Sequence, residues 1–238
     1  MDNRAEQVFR ALKDEFQFKG AEGKISFYLN DYDITVEQNN VVGNILEEWL
    51  AKWLTSKNIY NKHNHRQASP DFWLNQDDDK ADWLEIKSFT GSPNFDLAAF
   101  RSFIKLIIDE PWKLQSNYLL IKYSMKDGIV TIKDFWLKKI WEVSCTSSKW
   151  PIKVQCKRGV INNIRPATWY AKHPDYPVFK SLEHFLSALE ETIYRYHDTR
   201  TSLSENWESQ VIQSYKNHFG VELCIPRWND IKGQYLGL

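Results

Sequence analysis

The stretch Ser69-Pro70-Asp71-Phe72-Trp73-Leu74, followed after ten further residues by Glu85-Ile86-Lys87, decides the fold of this chain. Residues 71–74 and 82–89 are short apolar segments on either side of a polar turn, a pattern that predicts an antiparallel hairpin. Because side chains alternate between the two faces of a strand, Glu85 and Lys87 share one face and Ile86 takes the other. A hairpin centred on Asp78 places Asp71 directly opposite Glu85.

The opposed carboxylates of Asp71 and Glu85 are suited to form a cation-binding site. Directly opposed residues have Cβ atoms about 4.5–5.5 Å apart, and carboxylates at that distance repel unless a cation lies between them or one is protonated. A hard divalent cation suits Asp71 and Glu85, and the neighbouring Lys87 can stabilise an attacking water or a phosphate. The alternative is a surface hairpin with an ordinary Glu/Lys face, since each half of the pattern is common.

Composition limits the kinds of protein that this chain can be. Its 238 residues are enough to bury a sizeable core, and 15% of them are aromatic. Cys145, Cys156 and Cys224 are widely spaced, which argues against a disulfide framework and against a structural zinc. The sequence shows neither an apolar signal segment nor a membrane span of about 18 residues. We therefore expect a soluble cytoplasmic protein with no membrane partner.

Charge is balanced overall but unevenly distributed. Residues 1–100 hold 11 basic and 17 acidic side chains, a net charge of −6, whereas residues 101–238 hold 20 and 14, a net of +6. The window 133–172 holds nine basic and two acidic residues, a net of +7. A basic window of this kind can bind phosphates locally although the whole chain is neutral. A solvated basic face is the alternative.

A second hairpin is predicted over residues 152–165, with its turn at Arg158-Gly159. A two-stranded ribbon fits the major groove of DNA, where Arg pairs with guanine and Asn with adenine. A basic hairpin that touches phosphates only is the alternative. The residues of this region predicted to contact DNA are Lys153, Lys157, Arg158, Asn162, Asn163 and Arg165, and Asn94, just past the catalytic strand, is a further candidate.

His63-Asn64-His65 spells the letters HNH. The HNH nuclease signature is not contiguous and needs a ββα-metal context that is absent from this sequence. We therefore expect this stretch to have no role as an HNH motif.

Pro70-Asp71 and Glu85-x-Lys87 together resemble the PD-(D/E)XK nuclease motif. More closely, residues 5–195 resemble type II restriction endonucleases of the NgoBV/NlaIV kind. The segments that carry this resemblance are Phe27-Tyr28-Leu29-Asn30-Asp31, Val41-Val42-Gly43-Asn44-Ile45, Ser92-Pro93-Asn94-Phe95-Asp96, residues 133–141 and Ile164-Arg165-Pro166-Ala167.

The resemblance implies a division of roles within the motif. Asp71, Glu85 and the carbonyl group of Ile86 would bind Mg²⁺, and Lys87 would orient or activate the attacking water.

An acidic residue on the preceding helix, predicted over residues 41–55, would assist. Glu47 and Glu48 are the candidates; Gly43-x-x-x-Glu47 resembles the usual placement, but helix geometry does not choose between them.

The fold expected is α/β, a central mixed β-sheet flanked by helices as in restriction endonucleases, with a β-hairpin and helical recognition part. We predict one domain over residues 1–238, with a catalytic core at about 20–136 and a DNA-recognition region at about 137–180. The C-terminal helices occupy 181–238. Periodicity predicts further helices over residues 95–109, 181–197 and 204–219.

The function implied is Mg²⁺-dependent hydrolysis of double-stranded DNA that leaves 5′-phosphate ends. The resemblance implies a homodimer acting on the palindrome GGNNCC, with a cognate DNA methyltransferase in the same system. A two-fold site also favours a two-fold protein on physical grounds. A repair or recombination nuclease of the same fold, and a DNA-binding module without catalysis, are the alternatives.

Overall fold

The computed structural model describes residues 3–66, 69–196 and 205–237. The chain divides into two compact units, one of residues 1–92 and 116–138 and the other of residues 93–115 and 139–238. The strands of the first unit are β1 (Glu22–Lys24), β2 (Ser26–Leu29), β3 (Tyr32–Thr35), β4 (Lys62–His63), β5 (Phe72–Trp73), β6 (Trp83–Phe89), β8 (Asn117–Lys126) and β9 (Ile129–Lys138). Its helices are α1 (Arg4–Arg10), which continues as a π-helical turn over Ala11–Glu15, and α2 (Val42–Ser56).

The second unit contains a smaller set of strands and most of the helices. Its strands are β7 (Ala98–Ala99), β10 (Val154–Lys157) and β11 (Val160–Ile164). Its helices are α3 (Phe100–Asp109), α4 (Leu182–Arg195), α5 (Trp207–Phe219) and α6 (Trp228–Ile231). The predicted single domain stays a prediction, and residues 93–115 group with the second unit because α3 packs against β11 and α5.

A six-stranded mixed sheet forms the frame of the first unit. Its strand order is β1-β9-β8-β6-β5-β4, and β6 and β8 are parallel whereas every other neighbouring pair is antiparallel. Most residues of the central strands β6 and β8 are buried on both faces, as expected where a sheet is covered on both sides. The predicted α/β fold with a mixed sheet is therefore confirmed.

Helix α2 lies against the sheet through one apolar face, as its periodicity predicts. Leu50 and Leu54 are buried in one core with Phe72 and Leu84 of the catalytic hairpin. At the start of the helix, a Cβ atom on Gly43 would lie 3.2 Å from Ser88 Oγ of β6. The glycine thus allows a close approach between α2 and the strand that carries Glu85.

In the second unit, β10 and β11 form the predicted hairpin. Arg158 and Gly159 have φ angles of 52° and 80°, the positive values that a type I′ turn requires. The predicted helix over 95–109 is wrong at its start. Leu97 N donates to Ile164 O, and Ala98 and Ala99 pair with β11, so the helix begins only at Phe100.

The C-terminal helices agree with the prediction within the described residues. Helix α4 begins after Ser181, whose hydroxyl accepts a 3.3 Å hydrogen bond from His184 N. Helix α5 ends at Phe219 and is capped by Gly220, which has the left-handed φ of 70°. The predicted ends at residues 197 and 204 lie outside the described residues. Across the described part of the chain, no helix combines the length and apolarity that crossing a membrane requires.

Candidate active site

The hairpin of β5 and β6 has the predicted register. Phe72 pairs with Leu84 and Trp73 with Trp83, so continuing the ladder by one residue brings Asp71 opposite Glu85. The backbone N–H of Ile86 donates a 2.6 Å hydrogen bond to Asp71 Oδ2. The two acidic residues singled out from the sequence therefore lie side by side on the hairpin.

Lys87 completes the group of charged side chains. Its Nζ lies 3.5 Å from Glu85 Oε2 and 3.9 Å from Asp71 Oδ2. Burial disfavours the ammonium, but the carboxylates of Glu85, Asp71 and Glu47 outweigh burial and raise the pKa of Lys87. Lys87 is therefore held as a cation beside both carboxylates.

The carboxylate of Glu85 is the most deeply buried acid in this group. The residue is 5% exposed, and burial followed by the Asp71 charge raises the pKa of Glu85 against the opposing effect of Lys87. The hydroxyl of Ser69 donates a hydrogen bond to Glu85 Oε1. Ser69 thus fixes one oxygen of the carboxylate, while Lys87 lies beside the other.

The structure distinguishes the two glutamates of α2. Glu47 is half-buried, and burial together with the charges of Asp71 and Glu85 raises its pKa to about 7 although Lys87 acts in the opposite direction. Glu48 is exposed and lies beside two histidines instead. Glu47 is therefore the helix acid that interacts with the hairpin group.

The composition of this group fits a hard divalent cation. Three carboxylates, those of Asp71, Glu85 and Glu47, interact with one ammonium, that of Lys87. Burial is the largest cause of the elevated pKa of Glu47, and the negative charges of Asp71 and Glu85 raise that pKa further. Oxygen donors with surplus negative charge are the ligands that Mg²⁺ takes in proteins, so the residues fit the predicted metal.

Sequence reasoning missed three residues of the site. Ser69 holds Glu85, as described above. Asn64 donates from its backbone N–H to Asp71 O at 2.8 Å and from Nδ2 to Pro70 O at 2.9 Å. Tyr118 pairs with Glu85 across β6 and β8 and is buried. Polar loop residues and an aromatic residue in an apolar strand carry no signal of this role in a single sequence.

The residues predicted to contact DNA fall into two groups. Lys157 and Arg158 are exposed at the end of the β10–β11 hairpin. Asn162 and Asn163 are half-buried on β11, where Asn163 Nδ2 donates to Gln155 Oε1 at 3.4 Å. The end of the hairpin therefore offers the more accessible side chains.

The other three residues make hydrogen bonds inside the second unit. The guanidinium of Arg165 donates to Asp96 Oδ1 and to the backbone carbonyl of Asn94. Lys153 Nζ donates to Pro166 O at 3.0 Å. The sequence did not reveal these bonds, because Asp96 is 69 residues from Arg165 along the chain. Their contact with DNA stays a prediction.

Comparison with known proteins places this geometry in a family. The NgoBV restriction endonuclease family matches residues 2–235. The chain is 42% identical over 236 residues to the type II restriction enzyme NlaIV of Neisseria lactamica, covering 97% of each chain. It is 39% identical over 159 residues to the type II restriction enzyme NgoBV of Neisseria gonorrhoeae, covering 65% of this chain and 90% of that one.

The fold agrees with the sequence relationship. The solved structure of the NlaIV restriction endonuclease superposes with a TM-score of 0.92 at 41% identity, over 98% of this chain and 96% of that one. A family match over nearly the whole chain and a relative above 40% identity give the same assignment. The chain therefore belongs to the NgoBV restriction endonuclease family and is a type II restriction endonuclease, a site-specific deoxyribonuclease.

Proposed function

We propose that this enzyme hydrolyses double-stranded DNA at the palindrome GGNNCC in a Mg²⁺-dependent reaction. Asp71, Glu85 and the carbonyl group of Ile86 would hold the metal, and Lys87 would orient the attacking water and stabilise charge on the attacked phosphate. The observation that carries the proposal is the side-by-side position of Asp71 and Glu85 with Lys87 Nζ within 4 Å of both. The recognition sequence rests on the family resemblance.

The charges in the site support the proposed reaction, whose products rest on the family resemblance. Water attacks phosphorus, the bond from phosphorus to the 3′-oxygen breaks, and the products carry a 5′-phosphate and a 3′-hydroxyl. When bound, Mg²⁺ supplies a Lewis acid that polarises the scissile phosphate. The ammonium of Lys87 stabilises negative charge that develops on the phosphate oxygens, because it is already oriented before the reaction.

Glu47 is proposed as the accessory acid. Its carboxylate interacts with Asp71, Glu85 and Lys87, whereas that of Glu48 lies beside His63 and His65.

Sequence recognition is proposed to use the β10–β11 hairpin. Arg158 presents an exposed guanidinium at the turn, where a bidentate contact with a guanine is sterically open. Lys157 beside it is suited to a phosphate. We assign no base to either residue.

A homodimer is proposed because a palindrome needs two active sites related by a two-fold axis. The hairpin of β2 and β3 offers a surface for it. Phe27 pairs with Ile34 and Leu29 with Tyr32, so all four apolar side chains share one face, and each is more than half exposed. Exposed apolar faces of this kind mark interaction surfaces.

Sedimentation measurements test this interface. Leu29→Lys should convert the dimer to a monomer, because it buries a charge within the apolar face. Tyr28→Lys is the matched control, since Tyr28 pairs with Asp33 on the opposite face. A Leu29→Lys variant that remains dimeric would place the interface elsewhere.

Digestion of a plasmid with one GGNNCC site tests the activity. Mg²⁺ should give one linear product, and its ends should ligate without prior phosphorylation, as 5′-phosphates do. A plasmid without the site should stay intact. Nicking at random positions or cleavage of branched DNA alone would favour a repair nuclease, and no cleavage would favour a binding module.

Resistance of methylated DNA tests the expected methyltransferase partner. Plasmid DNA from a host that expresses the cognate methyltransferase should stay uncut, whereas the same plasmid without that modification should be linearised. Cleavage of both preparations at equal rates would contradict the pairing.

A further inference from the structure

Glu48, His63 and His65 form a second cluster of metal-ligating side chains beside the active site. Glu48 Oε1 lies 3.8 Å from His63 Nδ1 and 3.5 Å from His65 Nδ1. One ligand atom from each residue can be chosen so that all three lie within 4.8 Å of one another. Neither the catalytic hairpin nor the recognition hairpin uses these three side chains.

His63 is held in place but has an unsatisfied nitrogen. Its ring stacks on Phe72 with 4.7 Å between centroids and meets His65 edge-on at 4.4 Å. Among the described residues, no hydrogen-bond partner reaches the buried His63 Nδ1. A buried polar atom without a partner is uncommon and costs free energy. A bound metal ion would supply the partner that the described residues do not give to His63 Nδ1.

We propose that Glu48, His63 and His65 bind a divalent transition-metal ion of the zinc class, separate from the Mg²⁺ site. Two imidazoles and one carboxylate form the ligand set of many zinc sites, with water in the fourth position, whereas Mg²⁺ prefers oxygen donors. Tetrahedral zinc with ligands at about 2.0–2.1 Å places ligand atoms about 3.3 Å apart. The observed 3.5 and 3.8 Å need only small side-chain movements to close.

The site would join two segments that lead to the catalytic residues. Glu48 follows Glu47 on α2, and His63 lies on β4, whose pairing with β5 precedes the catalytic strand. Asn64, between the two histidines, contacts the backbone of Pro70 and Asp71. A metal at Glu48, His63 and His65 would therefore fix α2 relative to the segment of residues 63–65. Through Asn64 it would help to position Asp71, and it would stabilise the first unit.

Equilibrium dialysis with Zn²⁺ alone tests the proposal. The variant Asp71→Asn/Glu85→Gln disables the catalytic hairpin and should still bind one Zn²⁺ per chain. Adding His65→Ala or Glu48→Gln to that background should lower the affinity at least about 10-fold, because each removes one of three ligands. His65 and Glu48 are exposed, so these variants should fold. His173→Ala, which removes an exposed histidine outside the cluster, should bind as its parent does.

Thermal unfolding supplies a readout that is independent of cleavage. Zn²⁺ should raise the melting temperature of the catalytically disabled variant, since a ligand that binds only the folded state stabilises it. The rise should disappear with His65→Ala and persist with His173→Ala. Absence of Zn²⁺ binding at micromolar concentrations, or equal binding in the His65→Ala variant, would overturn the proposal. Neither measurement depends on Mg²⁺-dependent cleavage, so the proposed zinc site and the proposed function can be refuted separately.

Discussion

Asp71 Oδ2 accepts a 2.6 Å hydrogen bond from the backbone N–H of Ile86, the residue between Glu85 and Lys87. This charge-assisted bond ties the first acidic residue to the strand that carries the other two charged side chains. Because Lys87 Nζ lies 3.9 Å from the same oxygen, removing the charge of Asp71 changes the electrostatics of the site without dismantling the hairpin, provided that an acceptor remains.

The first prediction therefore uses isosteric variants of the two acids. Asp71→Asn and Glu85→Gln should each lower the cleavage rate by about 10³-fold or more, because loss of a metal ligand removes several kcal/mol of transition-state stabilisation. DNA binding should be unchanged or tighter, since each variant removes a negative charge near the phosphates. Single-turnover cleavage and gel-shift titrations check the two parts. Wild-type cleavage by either variant in Mg²⁺ would refute the site assignment.

Lys87→Ala should slow cleavage by about 10²–10³-fold, the effect of removing one preorganised electrostatic group. Mg²⁺ binding should persist, because the variant leaves all three carboxylates in place and removes a competing cation. Lys80→Ala is the control, since Lys80 lies in the exposed turn of the same hairpin. A slow Lys80→Ala variant with an unimpaired Lys87→Ala variant would contradict the roles proposed here.

Ser69 is expected to act through Glu85. Ser69→Ala removes the hydrogen bond to Glu85 Oε1 and should weaken activation by Mg²⁺ about 10- to 100-fold, as loss of a group that orients a ligand does. The discriminating measurement is cleavage rate against Mg²⁺ concentration. The half-saturating concentration should rise, with much of the maximal rate recovered at high Mg²⁺. An unchanged half-saturating concentration would leave Ser69 with no positioning role.

The catalytic hairpin was predictable from the sequence because its information is local. Alternation fixes the face of Glu85 relative to Lys87, and the short polar turn fixes which residue opposes Asp71. The register found in the structure, Phe72 with Leu84 and Trp73 with Trp83, is the one that a hairpin centred on Asp78 predicts.

The features that the sequence did not reveal depend on long-range contacts. Strand β7 replaces the first residues of a predicted helix because Leu97, Ala98 and Ala99 meet β11, about 65 residues further along the chain. Arg165 looked like a free basic side chain, but it is bonded to Asp96. Periodicity describes one segment at a time and cannot report either contact.

Stability should depend on pH through Glu190. Burial, the Glu208 charge and a hydrogen bond to Glu208 raise the pKa of Glu190 from 4.5 to about 7. The folded state therefore binds the proton of Glu190 more tightly than the unfolded chain does. The stability that this tighter proton binding contributes is fully present below pH 4.5 and is lost as pH rises to about 7. Glu190→Gln should raise the free energy of unfolding at pH 8 by about 1 kcal/mol, a value discounted because the side chain is half solvated.

Urea denaturation at pH 5 and pH 8 measures this effect. The difference in the free energy of unfolding between the Glu190→Gln variant and the wild type should be larger at pH 8 than at pH 5. Asp230→Asn is the control, because it removes an exposed acid of the second unit that does not contribute to the pKa of Glu190. Equal pH dependence in the Glu190→Gln variant and the wild type would show that the Glu190–Glu208 contact does not govern stability in this range.

The last prediction separates base reading from phosphate binding on the β10–β11 hairpin. At least one of Arg158→Ala and Arg165→Ala should lower the ratio of cognate to non-cognate affinity, by roughly 1–3 kcal/mol if it removes a bidentate contact with guanine. Lys157→Ala, next to Arg158, should weaken binding to all sequences about equally. The slope of the logarithm of the binding constant against the logarithm of the salt concentration should become shallower by about one. Competition binding at two salt concentrations, in Ca²⁺ to prevent cleavage, measures both quantities.

Two further variants distinguish direct from indirect effects of the arginines. Arg158→Lys keeps the charge but loses the fork that guanine recognition needs, so it should lose specificity while keeping the salt dependence. Arg165 donates to Asp96 and to the backbone of Asn94, so Asp96→Asn should reproduce part of the Arg165→Ala effect if Arg165 acts by holding that loop. Unchanged specificity in both arginine variants would make this hairpin a surface that positions DNA, and the loop at residues 89–96 would then be the next candidate for the sequence reader.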